Sequence, residues 1–196
     1  MNDATTRTDR PDPDAAARLG LWVLLAVITV LFLQFIQAYA VRSGSADWLR
    51  LPEPALLRWN TLALLLASVA LQSAAMRPHG TIPLWFGGLF GCAFLVGQLL
   101  AWQQLRSLGF GVAGNPASSF FYLLTGMHGA HVLGGLLAWG LLMVRVRVRA
   151  RHGADIAPGA RLCARYWHFL LLVWLLLYGV LFLIPPATLQ VICGGS

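Results

Sequence analysis

The stretch that most constrains this chain runs from Phe120 to Val144, FFYLLTGMHGAHVLGGLLAWGLLMV, with no Asp, Glu, Lys or Arg. At 1.5 Å per residue it reaches roughly 37 Å as a helix, enough to cross a hydrocarbon core of about 30 Å. It also carries two histidines, a threonine and five glycines. A helix facing only lipid has no use for them, so something packs against this one.

The remaining chain agrees with a membrane setting. Apolar residues make up 58% and charged residues 11%, which excludes an ordinary soluble domain. All seven acids fall outside the long apolar runs, and the fourteen basic residues, all arginines, cluster at the ends of those runs. The net charge of +7 therefore reads as a topology signal and not as a nucleic-acid footprint. Cys92, Cys163 and Cys193 are isolated, so neither a disulfide framework nor a thiolate metal site is indicated. Cys92 reads as a small apolar core residue.

Five apolar runs are long enough to span: 19–41, 57–76, 83–105, 120–144 and 164–184. The expected fold is all-α, a five-helix polytopic membrane bundle. A polar tail (1–18) with the composition of disorder precedes it, and a short tail (185–196) follows. The tail has no apolar core, so the first span acts as an uncleaved signal anchor. Gly109 to Ser118 reads as a loop, and Pro185 and Pro186 as the stop of the fifth helix. Ten arginines fall on the N-terminal side of such a bundle and four on the other. The bias places the N-terminus in the cytoplasm and the C-terminus outside. The alternation Arg145, Arg147, Arg149 beside a span reads as a helix continuing into the headgroup layer.

Helices in lipid associate through close backbone approach and interhelical hydrogen bonds. On the fourth span Gly126, Ala130, Gly134 and Ala138 recur every four residues, an expected packing groove with His131 beside it and His128 further round. Gln34 with Gln37, Ser68 with Gln72, and Gln98 with Trp102 read as polar seams of the same bundle. Trp22, Trp48, Trp102 and Trp167 lie near span ends and fit aromatic belts. His128, His131 and His168 admit two readings, ligation of a metal or haem, as in a small b-type cytochrome, or hydrogen bonds to neighbouring helices. The expected spans put the three at different depths, which favours hydrogen bonding. A proton relay is disfavoured because the spans hold no carboxylate, and no broken helix pair or inverted repeat points to a transporter.

The motif FFYLLTGMHGAHVLGG closely resembles the signature of subunit III of the haem–copper oxidases, through Thr125, Gly126, His128, Gly129, His131, Val132 and Gly134. Tyr166, Trp167, His168, Phe169 and Trp174 resemble the family's last helix, and Asn60, Gln98 and Trp102 match in the second and third. The resemblance implies a five-helix member with no catalytic, cofactor or metal site of its own, no haem or copper, and bound structural phospholipid. It implies packing on catalytic subunit I, where haem and copper reside, alongside other oxidase subunits in a bacterial plasma membrane, supporting stability and proton uptake. A catalytic subunit would need six ligating histidines in its helices, and here only three are intramembrane. Three positions where the family has acids are apolar here: Ile28 (beside Val27), Ala101 and Leu171. The host complex is a cytochrome c oxidase, a quinol oxidase or a nitric oxide reductase.

Overall fold

The computed structural model describes residues 13–77, 81–149, 157–185 and 188–189. Five long helices account for nearly all of them: α1 Pro13–Arg42, α2 Leu56–Met76, α3 Thr81–Ser107, α4 Pro116–Arg149 and α5 Ala157–Tyr178. All five are long and apolar enough to cross a membrane, and no strand occurs among the described residues. The chain is a multi-pass helical membrane protein.

Helix boundaries differ from the sequence expectation where local chemistry intervenes. α1 starts at Pro13, within the stretch expected to be an irregular tail, because proline suits the first helical position where its missing N–H is not needed. Residues 1–12 lie outside the described residues, as does nearly all of the expected C-terminal tail. α4 likewise starts on Pro116, taking in the last three residues of the expected loop, with Asn115 as its cap: its Oδ1 accepts from the Ala117 N–H at 3.1 Å. The other end of α4 continues through Arg145 and Arg147 to Arg149. α3 is stopped two residues past Ser107 by Gly109, whose φ of +87° is the left-handed conformation glycine adopts without penalty. There the Phe110 N–H reaches the Leu105 carbonyl and the Gly109 N–H the Arg106 carbonyl, which closes the helix in a Schellman motif. α5 begins at Ala157, seven residues before its expected start. It runs into a π-helical turn, Gly179–Leu183, where the Ile184 N–H bonds the Gly179 carbonyl at 2.9 Å.

α2 packs most extensively on α3 and next on α5, while α4 packs on α5 and α3. α1 rests on the flank against α5 and α4. Leu64, Leu71, Phe94, Leu124, Trp167, Leu170 and Trp174 fill the centre. Leucines and valines such as Leu65, Leu89 and Leu172 face outward, as a bundle solvated by acyl chains requires.

The helix ends on the side of the α1–α2 connection are tied across elements. Asn115 exchanges hydrogen bonds with the backbone of Leu49, accepting at 3.3 Å and donating at 2.7 Å, which pins the α1–α2 connection to the head of α4. Glu53 pairs with Arg58 at 2.9 Å and accepts the Tyr178 hydroxyl. The Arg58 guanidinium, and then that hydroxyl, hold the Glu53 carboxyl below the ordinary carboxylate value. A depressed folded-state value means stabilisation that is present above the unfolded value near 4.5 and is lost as the pH falls through the folded one. Thermal melts in detergent should therefore fall on acidification below about pH 4.5, and Glu53→Gln should remove that part of the dependence. An unchanged acid limb in Glu53→Gln would disprove the contribution.

Candidate functional site

The motif residues of α4 meet the other helices at His128. Its imidazole is fully buried. The Phe94 ring of α3 stands edge-on to it at 5.5 Å and 83°, Trp174 of α5 lies over it at 5.3 Å and 33°, and Phe32 of α1 approaches at 6.4 Å. Phe94 and Trp174 meet each other edge to face at 4.9 Å, the geometry aromatic pairs prefer. Trp174 is held by its Nε1–H, which donates to Thr61 of α2 at 2.9 Å. All five helices thus converge on one aromatic junction.

The expectation that each histidine bonds a neighbouring helix fails at this junction. Among the described residues neither ring nitrogen of His128 has a hydrogen-bond partner, and three aromatic rings stand against the imidazole. His131 bonds within its own helix, Nδ1–H donating to the Met127 carbonyl at 2.7 Å. Its interhelical contribution is instead the backbone carbonyl, which accepts the Tyr166 hydroxyl of α5 at 3.0 Å. His168 alone follows the expectation: Nδ1 pairs with the Ser68 hydroxyl, and Nε2–H donates to Gln72 Oε1 at 3.0 Å. His168 thus lies on the α2–α5 seam, apart from the ring cluster around His128. Among the described residues no three His, Cys, Asp or Glu side chains form a group able to hold a metal.

An unpaired buried imidazole gains nothing from its polarity, so an apolar group of similar volume should replace it at little cost. His128→Leu should leave the unfolding free energy within about 1 kcal/mol of the parent. SDS-titrated unfolding checks this, and a larger loss would reveal a hidden hydrogen-bond partner.

The other motif residues fall into two groups. Thr125, Val132, Trp167, Asn60 and Gln98 are buried, and Phe169 packs against the same core. Asn60 donates to Gln98 Oε1 at 3.3 Å, and Trp102 donates to Thr125 at 3.0 Å, which in turn donates to the Phe121 carbonyl at 2.6 Å. The small residues behave differently. Gly126 and Gly129 line a cleft of about 200 Å³ between α3 and α4. Ala130, Gly134 and Ala138 line a larger one of about 530 Å³ between α1, α4 and α5, which His131 and Arg145 also border. The small-residue stripe is therefore not the packed seam expected from its spacing. Tight packing on glycine occurs instead on α3, where side chains of other helices sit against the backbone: a β-carbon on Gly97 would overlap Asn60 and one on Gly91 would overlap Trp167.

Several further expectations are corrected. Trp167 is wholly buried and Trp102 is tied to α4, whereas Trp22, 61% exposed, and the half-buried Trp48 just past the end of α1 keep belt-like positions. Cys92 is exposed and not a core residue. Gln34 and Gln37 belong to no seam: both face outward from α1. Ile28 and Ala101 sit in the core, at 2% and 0% exposure.

The ordered motif residues match a known family along most of this architecture. A model of the family cytochrome c oxidase subunit III matches residues 61–184, from the first turns of α2 through the π-helical turn. This chain belongs to that family. The cytochrome bo(3) ubiquinol oxidase subunit 3 of Pseudomonas putida is 30% identical over 183 residues, covering 85% of this chain and 84% of that one. The cytochrome c oxidase subunit 3 of Bacillus subtilis is 30% identical over 182 residues, covering 84% of each. A probable cytochrome c oxidase subunit 3 of Mycobacterium tuberculosis reaches 38% over 96 residues, about half of each chain. As a subunit III, the chain associates with other oxidase subunits in a complex. Sequence reasoning missed Phe32 and Phe94, two of the three rings around His128. Phe94 stands one helical turn before Gln98 on the same face, and that spacing is the only signal it carried.

Proposed function

We propose that this subunit III is a non-catalytic member of a respiratory haem–copper oxidase in a bacterial plasma membrane, with its N-terminus cytoplasmic and its C-terminus outside. Haem and copper belong to subunit I, on which it packs and whose stability and proton uptake it supports. The observation that carries this reading is the use made of the motif residues. His128, Trp167 and Trp174 fill a helix junction, and Thr125, Gln98 and Asn60 tie helices together, so the motif serves packing. Relatives are named for both cytochrome c and ubiquinol oxidases, so the electron donor is either of those two.

The structural phospholipid fits the 530 Å³ cleft. Its walls are mainly apolar residues of α1, α4 and α5, with His131, Tyr166 and Arg145 among them, and beside it Arg18, Arg161 and Arg165 line a small pocket of a size and charge suited to a phosphate.

Affinity purification of the tagged chain from its own membranes, in mild detergent, tests the proposal. Haem-containing oxidase subunits should co-purify in stoichiometric amount, and the chain expressed alone should lack a Soret band. A stable chain that never captures an oxidase core, or one that carries haem by itself, would overturn it.

A further inference from the structure

Of the exposed surface of α1, most is what lipid requires: Leu24, Val27, Val30 and Leu33 are apolar and 46–60% exposed. Gln34 and Gln37 are not. Both are exposed, and neither carboxamide has a partner among the described residues. With Ala38 and Val41 they form one stripe along the helix. The stripe floors an open groove of about 1000 Å³, whose far wall is Phe120 at the head of α4. If Arg42 marks the headgroup layer, Gln37 lies roughly 7 Å and Gln34 roughly 12 Å below it.

The polar atoms unpartnered among the described residues, His128 Nδ1 and Nε2, Gln98 Nε2 and Trp167 Nε1, are buried inside the bundle, away from this surface. Most other polar side chains of the spans are accounted for within the chain. Thr29, Thr61 and Ser73 bond the carbonyl four residues back. Gln72 accepts from His168, and Gln98 is buried against Asn60. Gln103 and Gln104 lie within the last turns of α3, beside Arg106 at the headgroup level. The polar end of the groove is also satisfied, since Arg42 pairs bidentately with Asp47 and the Ser45 hydroxyl bonds the Arg42 carbonyl. Gln34 and Gln37 are therefore the uncompensated polar groups of this surface.

We propose that this stripe of α1 is a protein-contact face that receives a transmembrane helix of another subunit of the oxidase, one that carries hydrogen-bonding side chains at the depth of the two glutamines. The inference rests on the subunit III reading. Acyl chains offer neither donors nor acceptors, and an unsatisfied amide in hydrocarbon is costly. Lipid ester groups reach the level of Gln37 but not that of Gln34. A carboxamide pair about one turn apart is instead suited to interhelical hydrogen bonding, a recurrent means of joining helices in membranes. Ala38, next to Gln37 on the same stripe, lets a second backbone come close.

The test uses the assembled complex. A photo-crosslinking amino acid is placed at position 37 or 41, and at Leu65 of α2 and Leu172 of α5 as controls, and the complex is irradiated in its membrane. Positions 37 and 41 should each yield an adduct with a helix of another oxidase subunit, and the controls should yield lipid adducts. In parallel, the double variant Gln34→Leu/Gln37→Leu should lower the co-purified oxidase subunits at least tenfold. The melting temperature of the chain expressed alone should not change, because the two amides have no hydrogen-bond partner among the described residues. Lipid adducts alone at 37 and 41, or adducts only with a second copy of this chain, would overturn the face while leaving subunit III membership intact. So would normal co-purification of the double variant. If no oxidase subunit accompanies the parent chain, the functional reading fails and this inference with it.

Discussion

Trp174→Ala is expected to cost about 3 kcal/mol or more of unfolding free energy, among the largest effects of any single truncation in this chain. The indole is 1% exposed and touches three elements at once. It meets Phe94 edge to face, covers His128, and donates to Thr61 at 2.9 Å. Truncation empties the junction of the five helices. Lipid cannot refill an enclosed space, so the lost contacts are not replaced even though acyl chains are as apolar as the core. Trp174→Phe separates the contributions, because it keeps most of the volume and loses only the hydrogen bond, a difference of about 1 kcal/mol. SDS-titrated unfolding of the three proteins reads both values. A loss below about 1 kcal/mol in Trp174→Ala would mean that the helices collapse onto the gap, and that the junction does not hold them apart.

Gly91→Leu should be worse tolerated than Gly134→Leu, although Gly134 is the residue within the family motif. A β-carbon on Gly91 would overlap the indole of Trp167, which is completely buried and cannot swing away, and it would press Leu136 at 3.1 Å. α3 must then move off α4 and α5, at a cost near or above the upper end of the about 1–3 kcal/mol usual for overpacking. On Gly134 the same atom would meet only the Tyr166 hydroxyl, at 3.9 Å, and the rest of the side chain would enter the 530 Å³ cleft. Gly134→Leu should therefore change the stability of the isolated chain by no more than about 0.5 kcal/mol. Its effect should fall on whatever occupies that cleft, read as phospholipid retained after purification. Equal destabilisation by the two variants would show that the α4 stripe is a packed interface after all.

How far the sequence could be read follows from the range of the interactions involved. Span length and polarity are local properties, so five membrane helices were legible from apolar runs alone. Helix ends were less so. The starts at Pro13 and Pro116 depend on a preference of proline that hydropathy ignores, and the early start of α5 lets Arg161 and Arg165 ride on the helix with their stems along it. The motif residues could be found in order because each is a fixed residue type at a fixed spacing. Their roles could not. Periodicity showed that Gly126, Ala130, Gly134 and Ala138 share a face, but not whether a helix covers that face.

Partner assignment was the least legible. Gln34 with Gln37 and Ser68 with Gln72 look alike as pairs of polar residues about one turn apart in apolar runs. Ser68 and Gln72 meet His168, a hundred residues further along, whereas the amides of α1 have no hydrogen-bond partner among the described residues. His128 shows the same limit from the opposite side: a histidine deep in a span predicts a hydrogen bond, and three aromatic rings from three other helices stand against it instead.

By itself the sequence determined that this chain lies in a membrane as a bundle of helices, and which family it resembles. Those facts are written in local composition and in residue order. Only the tertiary structure decided that the small-residue stripe lines clefts, that close approach belongs to Gly91 and Gly97, and that His128 is enclosed by Phe32, Phe94 and Trp174. It also decided that Gln34 and Gln37 are left facing outward. The physical reason is that helices in lipid are sorted by shape and by the pairing of a few polar groups, and both depend on which faces meet across the bundle.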